Sequence, residues 1–404
     1  MLKIFLLGFV IYNLGYTMSL TANAIYIICD LMRLIGVILI VISSIKLIVY
    51  RFDNLYLKIM YTFYMLWLLA VVFRGLKLEY VFIKNLFFNP AGIFLYCTPL
   101  ILLIPKPPKF YKLIFNVTII LAIFFIIHMV WELAEFLNTT NDISRERFDT
   151  YVKALGLPCG FLLMTFKYQP KRNRIIALVV ISITFLFVIY RARRGLIFMS
   201  LIIFIFTFLM FIYHNKRKIA LIIFSFITGS LLLVYTINAS KILDSKLLTR
   251  LNERGTEDTR SGVEDWFYND MKFKDWVIGR GMSGMVAAPA FIDKNSDTPG
   301  YRTGVETDYL TIILKGGIIS LGLLLLIAIP AIIQGLFLSK NTLSKAAALW
   351  ILLWLISIYP STVTLFTLNY TLVWIAIGIC YSKLVRNMSD EVLKEYFINP
   401  SKNI

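Results

Sequence analysis

The 404-residue sequence predicts an all-α integral membrane protein of about twelve transmembrane helices with one large structured extracytoplasmic loop. Three observations carry that expectation. The chain is 59% hydrophobic and only 16% charged, whereas soluble chains are about half apolar and about a quarter charged. Its apolar residues gather in long runs, many of them near the ~20 residues that cross a bilayer as a helix. The Lys and Arg behind its formal net charge of +18 lie mainly in short loops between those runs. That is the positive-inside pattern, with contact to anionic headgroups, and no nucleic-acid partner is expected.

The runs place spans near residues 3–19, 24–49, 56–74, 89–104, 111–134, 151–167, 174–191, 195–213, 218–237, 308–337, 344–360 and 363–382. The first run lacks a small-x-small cleavage site and reads as a retained helix. This divides the chain into nine helices over 1–237, an outer loop over 238–307, three helices over 308–382 and a tail over 383–404. The loops "PKPPKFYK" (105–112), "YQPKRNR" (168–174), "HNKRK" (214–218) and "LSKNTLSK" (338–345) are basic, as is the tail beginning "SKLVRN". They follow spans four, six, eight, ten and twelve, so they share one side, which the charge bias makes cytoplasmic together with both termini. The turn "RARRG" (191–195) places three arginines on the other side, where positive charge is disfavoured and therefore points to a function.

Most of the non-membrane character lies in residues 240–305. Trp266, Phe267, Trp276 and Phe291 anchor this stretch as a structured cap, because a disordered linker would lack such side chains. "SGVEDWFYNDMKFKDW" reads as one amphipathic helix with Ser261 as N-cap and Glu264 three residues on, and "IGRGMSG" as a turn.

Several chemistries are excluded. There is no phosphate-binding Gly-rich loop, no HExxH and no paired CxxC, and two histidines cannot build a multi-histidine metal centre. His128, in an apolar helix, reads as a core residue. Cys29, Cys97, Cys159 and Cys380 sit in apolar runs and read as small core side chains. No metal and no cofactor is expected. What remains on the outer face is Arg193, Arg194, Arg260, Arg280 and Arg302, suited to bidentate contact with a diphosphate, with Glu306 and Asp308 at the lip of the 308–337 span. A carboxylate at such a boundary suits proton acceptance. The alternative is that these charges only snorkel to fix helix ends.

About twelve spans, one long late outer loop and flanking arginines resemble the superfamily of O-antigen polymerases and O-antigen ligases, polytopic membrane glycosyltransferases. "ARRGLI" (192–197) resembles the Ser-Arg-Gly segment that opens a helix there and maps its arginine onto Arg194. "TRSGVEDWFYNDMKFKDWVIGRGMSG" (259–284) resembles the loop pattern of an arginine, a tryptophan-bearing helix and Gly-x-Gly. It maps these onto Arg260, Gly279 and Gly281. Glu306, Thr307, Leu310, Ile313 and Gly317 align with the segment that begins with a histidine in the family, so Glu306 departs from that pattern.

The resemblance implies a GT-C-like fold in a bacterial inner membrane. It also implies an undecaprenyl-diphosphate-linked oligosaccharide as substrate, with a flippase and a chain-length regulator as partners besides membrane lipids. The expected chemistry is metal-independent, inverting transfer of a growing glycan onto a lipid-linked repeat unit. Arg194 and Arg260 would hold the diphosphate, Glu306 would be the base, and Asp308 would play a supporting part. Arg193, Arg280 and Arg302 follow as further diphosphate or glycan contacts. Gly316 and Gly317 read as close helix packing. A ligase for lipid A-core, a flippase or transporter of the same lipids, and a membrane scaffold are the alternatives.

Overall fold

The computed structural model describes residues 1–20, 26–106, 108–137, 142–214, 261–289 and 299–398. Apolar periodicity across the runs becomes helix nearly everywhere, because a membrane leaves backbone N–H and C=O groups no partner but one another. The chain forms α1 (Leu2–Ser19), α2 (Tyr26–Leu47), α3 (Leu55–Gly75), α4 (Tyr80–Phe88) and α5 (Ile93–Cys97), the last continued by a 3-10 turn over Thr98–Leu103. Then come α6 (Pro108–Trp131), α7 (Leu133–Leu137), α8 (Asp142–Tyr151), α9 (Cys159–Met164), α10 (Lys171–Tyr190) and α11 (Arg194–His214). The cap contributes α12 (Ser261–Asp270), α13 (Phe273–Ile278) and a hairpin of β1 (Val286–Ala287) with β2 (Tyr301–Arg302), antiparallel with Val286 opposite Arg302. The chain closes with α14 (Asp308–Phe337), α15 (Thr342–Ser357), α16 (Leu368–Tyr381), α17 (Lys383–Asn387) and α18 (Asp390–Ile398).

Among the described residues seven helices, α1, α2, α3, α6, α10, α11 and α14, are long and apolar enough to cross a membrane. The bent pair Phe82–Phe88 and Ile93–Leu103 makes an eighth if it is one span, and α15 and α16 are shorter apolar helices. The protein is thus an all-helical polytopic membrane protein. Besides the short α15 and α16, which stand at the expected spans 344–360 and 363–382, two more of the twelve expected spans differ. The run 151–167 is a π-turn over Val152–Gly156 followed by the six-residue α9, not one helix. The run 89–104 lies within the bent pair. The expected span 218–237 lies outside the described residues.

α15 and α16 are apolar on every face, with Trp350 and Trp374 fully buried, as expected of helices walled in by others. α1 and α2 pack as a hairpin in which a Cβ on Gly36 would meet Tyr12 at 2.8 Å. Small residues there let the two backbones close up where lipid supplies no hydrophobic drive for association.

Loop positions sort cleanly onto two ends. At one end the Asp390 carboxylate takes Lys167 Nζ at 2.8 Å, the Tyr168 hydroxyl, and Thr342 N–H at 2.8 Å. Asn341 Nδ2 donates to Val385 O at 2.6 Å. The basic stretches 168–174, 338–345 and the tail therefore lie together, as their shared charge suggested. The tail is helical through Ile398 and buries Leu393 and Phe397 against the bundle.

α14 holds the largest departure from expectation. Gly317 takes φ 69° and ψ −178°, so the 30-residue helix is broken. Unbroken it would be ~45 Å long, well beyond a ~30 Å hydrocarbon core. The freed carbonyls find donors elsewhere. Arg280 N donates to Leu314 O at 2.7 Å, Gly281 N to Lys315 O at 2.9 Å, and Trp67 Nε1 to Gly316 O at 2.8 Å. A Cβ on Gly317 would collide with Val277 O, and one on Gly279, itself at φ 71°, with the Gly316 amide. The Gly-Gly pair is thus close packing of another kind than expected, with Gly316 against Val71 and Trp67 of α3 and Gly317 a notch at the helix break that receives 277–281.

Gly317→Ala is expected to lower stability by about 1–3 kcal/mol from backbone conformation alone. Gly322→Ala, where an added Cβ meets nothing within 4 Å, should be neutral or slightly stabilising. Thermal melts of both variants in detergent check the contrast; equal melting temperatures would overturn the account of the break.

Candidate functional site

At the end opposite Asp390 the bundle is hollowed. α15 and α16 are too short to fill the membrane, and the turn 358–367 between them sinks among the other helices. Ser361, Val363, Phe366 and Thr367 are buried. Its amides need partners, and the Asp308 carboxylate supplies them. One oxygen accepts from Val363 N, Thr364 N and Thr364 Oγ, each at 2.6 Å. Asp308 is 1% exposed, and Lys153 stands within electrostatic reach of it. Its role is to hold the turn. A cavity of about 70 Å³ adjoins it, lined among others by Lys315, Thr364 and Tyr370.

Glu306, two residues earlier, is exposed. Its carbonyl accepts from Thr362 Oγ at 3.3 Å, so its backbone is tied to the same turn while its side chain faces outward. The 191–195 corner meets the turn from the other side, since a Cβ on Gly195 would lie 2.5 Å from Pro360 O. Three arginines part company at that corner. Arg191 is buried and donates to Phe136 O at 2.7 Å and Ser144 Oγ at 2.8 Å. Arg193 grips Asp149 through both carboxylate oxygens. Arg194, the first residue of α11, is exposed. Ala192 makes the corner with φ 51°, a left-handed conformation that L-residues seldom adopt outside turns.

The cap lies over this hollow. Thr307 Oγ donates to Glu264 at 2.8 Å, joining α12 to the start of α14. The expected single helix over 261–276 is two, because the chain turns at Met271–Lys272 and both flanking acids converge on one arginine. Arg280 meets Asp270 at 2.5 Å and Asp275 at 2.9 Å, and also donates to Met285 O at 2.7 Å. Its guanidinium is filled from within, so Arg280, expected as a diphosphate or glycan contact, is instead a clip of the cap. Burial would raise the Asp270 pKa, but hydrogen bonds from Arg280 and the Ala287 N–H outweigh it and hold the carboxyl below its ordinary value. Arg302 sits on β2 opposite Val286, part of the cap hairpin. An aromatic row, Trp276 stacked on Tyr268 and Tyr309 stacked on Tyr359, runs from the cap to the turn.

Arg260 lies outside the described residues, as does the side chain of Ser261. Gly279 and Gly281 (φ 83°) lie in the docked segment. The structure thus brings Arg194, Glu306 and Asp308 to one turn and commits Arg193 and Arg280 to carboxylates. It adds Lys153, Lys315 and the 358–367 turn, whose sequence signals were single lysines in apolar runs and the polar cluster "PSTVT". His128 is buried against Tyr151 as a core residue, and among the described residues no group of three His, Cys, Asp or Glu could hold a metal ion. No family of known proteins, no curated protein and no solved structure matches the chain.

Because the folded-state pKa of Asp270 is lowered, its contribution to cap stability is present above about pH 4 and is lost as pH falls through the lower folded value. Proteolytic protection of 261–289 should accordingly fall off below about pH 4 in the parent protein. In Asp270→Asn, protection should already be weaker at neutral pH, by about 2 kcal/mol, with a flatter acid limb. An acid limb unchanged by that substitution would exclude the clip as its source.

Proposed function

We propose that the protein is a membrane glycosyltransferase acting on polyprenyl-diphosphate-linked glycans, polymerising repeat units on the face of the membrane that carries the cap. One observation supports this most: an exposed cation, Arg194, and an exposed carboxylate, Glu306, border one sunken turn beneath an aromatic-bearing cap. By the positive-inside bias the Asp390 end is cytoplasmic and the cap faces outward, as a bacterial inner-membrane enzyme would require.

In the proposed reaction an acceptor sugar hydroxyl attacks C1 of the donor sugar as the C1–O bond to the diphosphate breaks. Glu306 accepts the hydroxyl proton, and the configuration at C1 inverts. Arg194, with Arg260 of the cap segment, neutralises the departing diphosphate. Asp308 holds the turn from beneath, and Lys153 adds positive charge on the buried side.

A transporter of the same lipids is the second reading, favoured by the broken α14, since discontinuous helices are a mark of transporter sites. Against it, the freed carbonyls of that break are occupied by Arg280 N, Gly281 N and Trp67 Nε1.

Vesicles containing the protein and lipid-linked repeat units should yield a ladder of longer lipid-linked chains. Glu306→Gln should slow extension by about 10²–10⁴-fold with normal protein level, and Arg194→Ala should also slow it. Transfer of single units to a lipopolysaccharide core would indicate a ligase. Translocation of the lipid without extension would indicate a transporter. Wild-type ladders from both variants would remove Glu306 and Arg194 from the chemistry.

A further inference from the structure

Two cavities adjoin, a cleft near the Asp390 end and a groove that runs from it along α1 and α2 as far as Phe366 of the sunken turn. A groove of about 240 Å³ is walled by apolar side chains of α1, α2 and the bent α5 segment, among them Phe5, Phe9, Ile45, Phe94 and Ile101. A cleft of about 420 Å³ between the 49–54 turn, residues 102–106 and the end of α16 carries Arg51, Asp53, Lys106, Tyr381 and Ser382. Ile104 lines both. Val49 N donates to Leu103 O at 3.0 Å, so the backbone where they adjoin is fixed.

Lys106 sets the chemistry of the cleft. Its Nζ turns inward onto Leu102 O at 3.0 Å and Ile104 O at 3.2 Å. The carbonyls use two of its three protons, no carboxylate among the described residues pairs with it, and burial pushes the amine down to about 7. Asp53, the acid of the cleft, is exposed and forms no ion pair with Lys106 among the described residues. An anion entering the cleft would supply a counter-charge. The adjoining groove has room for hydrocarbon and almost nothing to hydrogen-bond, so a polar ligand gains nothing there. A molecule with a phosphate joined to an alkyl chain matches both halves.

We propose that the two cavities together hold one anionic phospholipid of the adjacent leaflet, an acyl chain in the groove and the phosphate at Lys106 and Arg51. This rests on the membrane architecture and is independent of the glycosyl-transfer reading.

The test is native mass spectrometry of the full chain released from nanodiscs of phosphatidylcholine mixed with phosphatidylglycerol. One phosphatidylglycerol should stay bound. Lys106→Met should reduce its retention about fivefold, and Ser44→Trp, which fills the groove, should also reduce it. Lys46→Met removes a charge from the same end of α2 but lies outside both cavities, and should change nothing. Melting curves identify any variant that has lost its fold, and Lys106→Met, which keeps the apolar stem, then decides alone. Equal retention of phosphatidylcholine, equal loss in Lys46→Met, or displacement of the lipid by inorganic phosphate would each overturn the proposal.

Discussion

The break in α14 is the constraint on which the rest of this structure depends. A helix interrupted inside a membrane protein strands carbonyls that no water can reach, and each must find a donor. Here the donors come from two distant parts of the chain, the 280–281 amides of the cap and the indole of Trp67 in α3. Satisfying the break therefore positions the cap. Arg280 works at both levels: its amide fills Leu314 O, while its guanidinium gathers Asp270 and Asp275. The start of α14 is thereby left as a short helical shelf under the cap, with the longer remainder free to cross the bilayer.

A second buried device complements the first. The short helices α15 and α16 leave a hollow, and the turn joining them would carry unsatisfied amides into it. Asp308 answers with three hydrogen bonds to Val363 and Thr364. All three fall on one oxygen, Oδ2, which fixes the carboxylate beneath the turn. Glu306, held to the same turn only by its backbone, keeps its side chain available. Two acids two residues apart thus take opposite roles because one begins the helix facing inward and the other precedes it facing outward.

The two ends of the bundle are built on different chemistry. At one end Asp390 gathers basic loops and folds the tail onto the core, and Lys106 turns onto backbone carbonyls with no carboxylate paired to it among the described residues. At the other, acids and arginines pair within the cap and at the 191–195 corner, and both Arg194 and Glu306 are exposed at the sunken turn.

Composition and run length by themselves determined the membrane class and most helix positions, because lipid forces any long apolar run to satisfy its own backbone. Loop charge also foretold which loops share an end. Local pattern failed where partners came from far away. "KGG" read as packing glycines, yet only the approach of 277–281 makes Gly317 a break. The 261–276 stretch read as one helix, yet Arg280 draws its two acids together across a bend. The arginines of "RARRG" were equal in sequence, and only the fold buries Arg191 against Phe136 O and Ser144, draws Arg193 to Asp149 and leaves Arg194 exposed to solvent. Tertiary structure alone decided these points, since whether a polar group is spent or available depends on which groups the fold brings within hydrogen-bond reach.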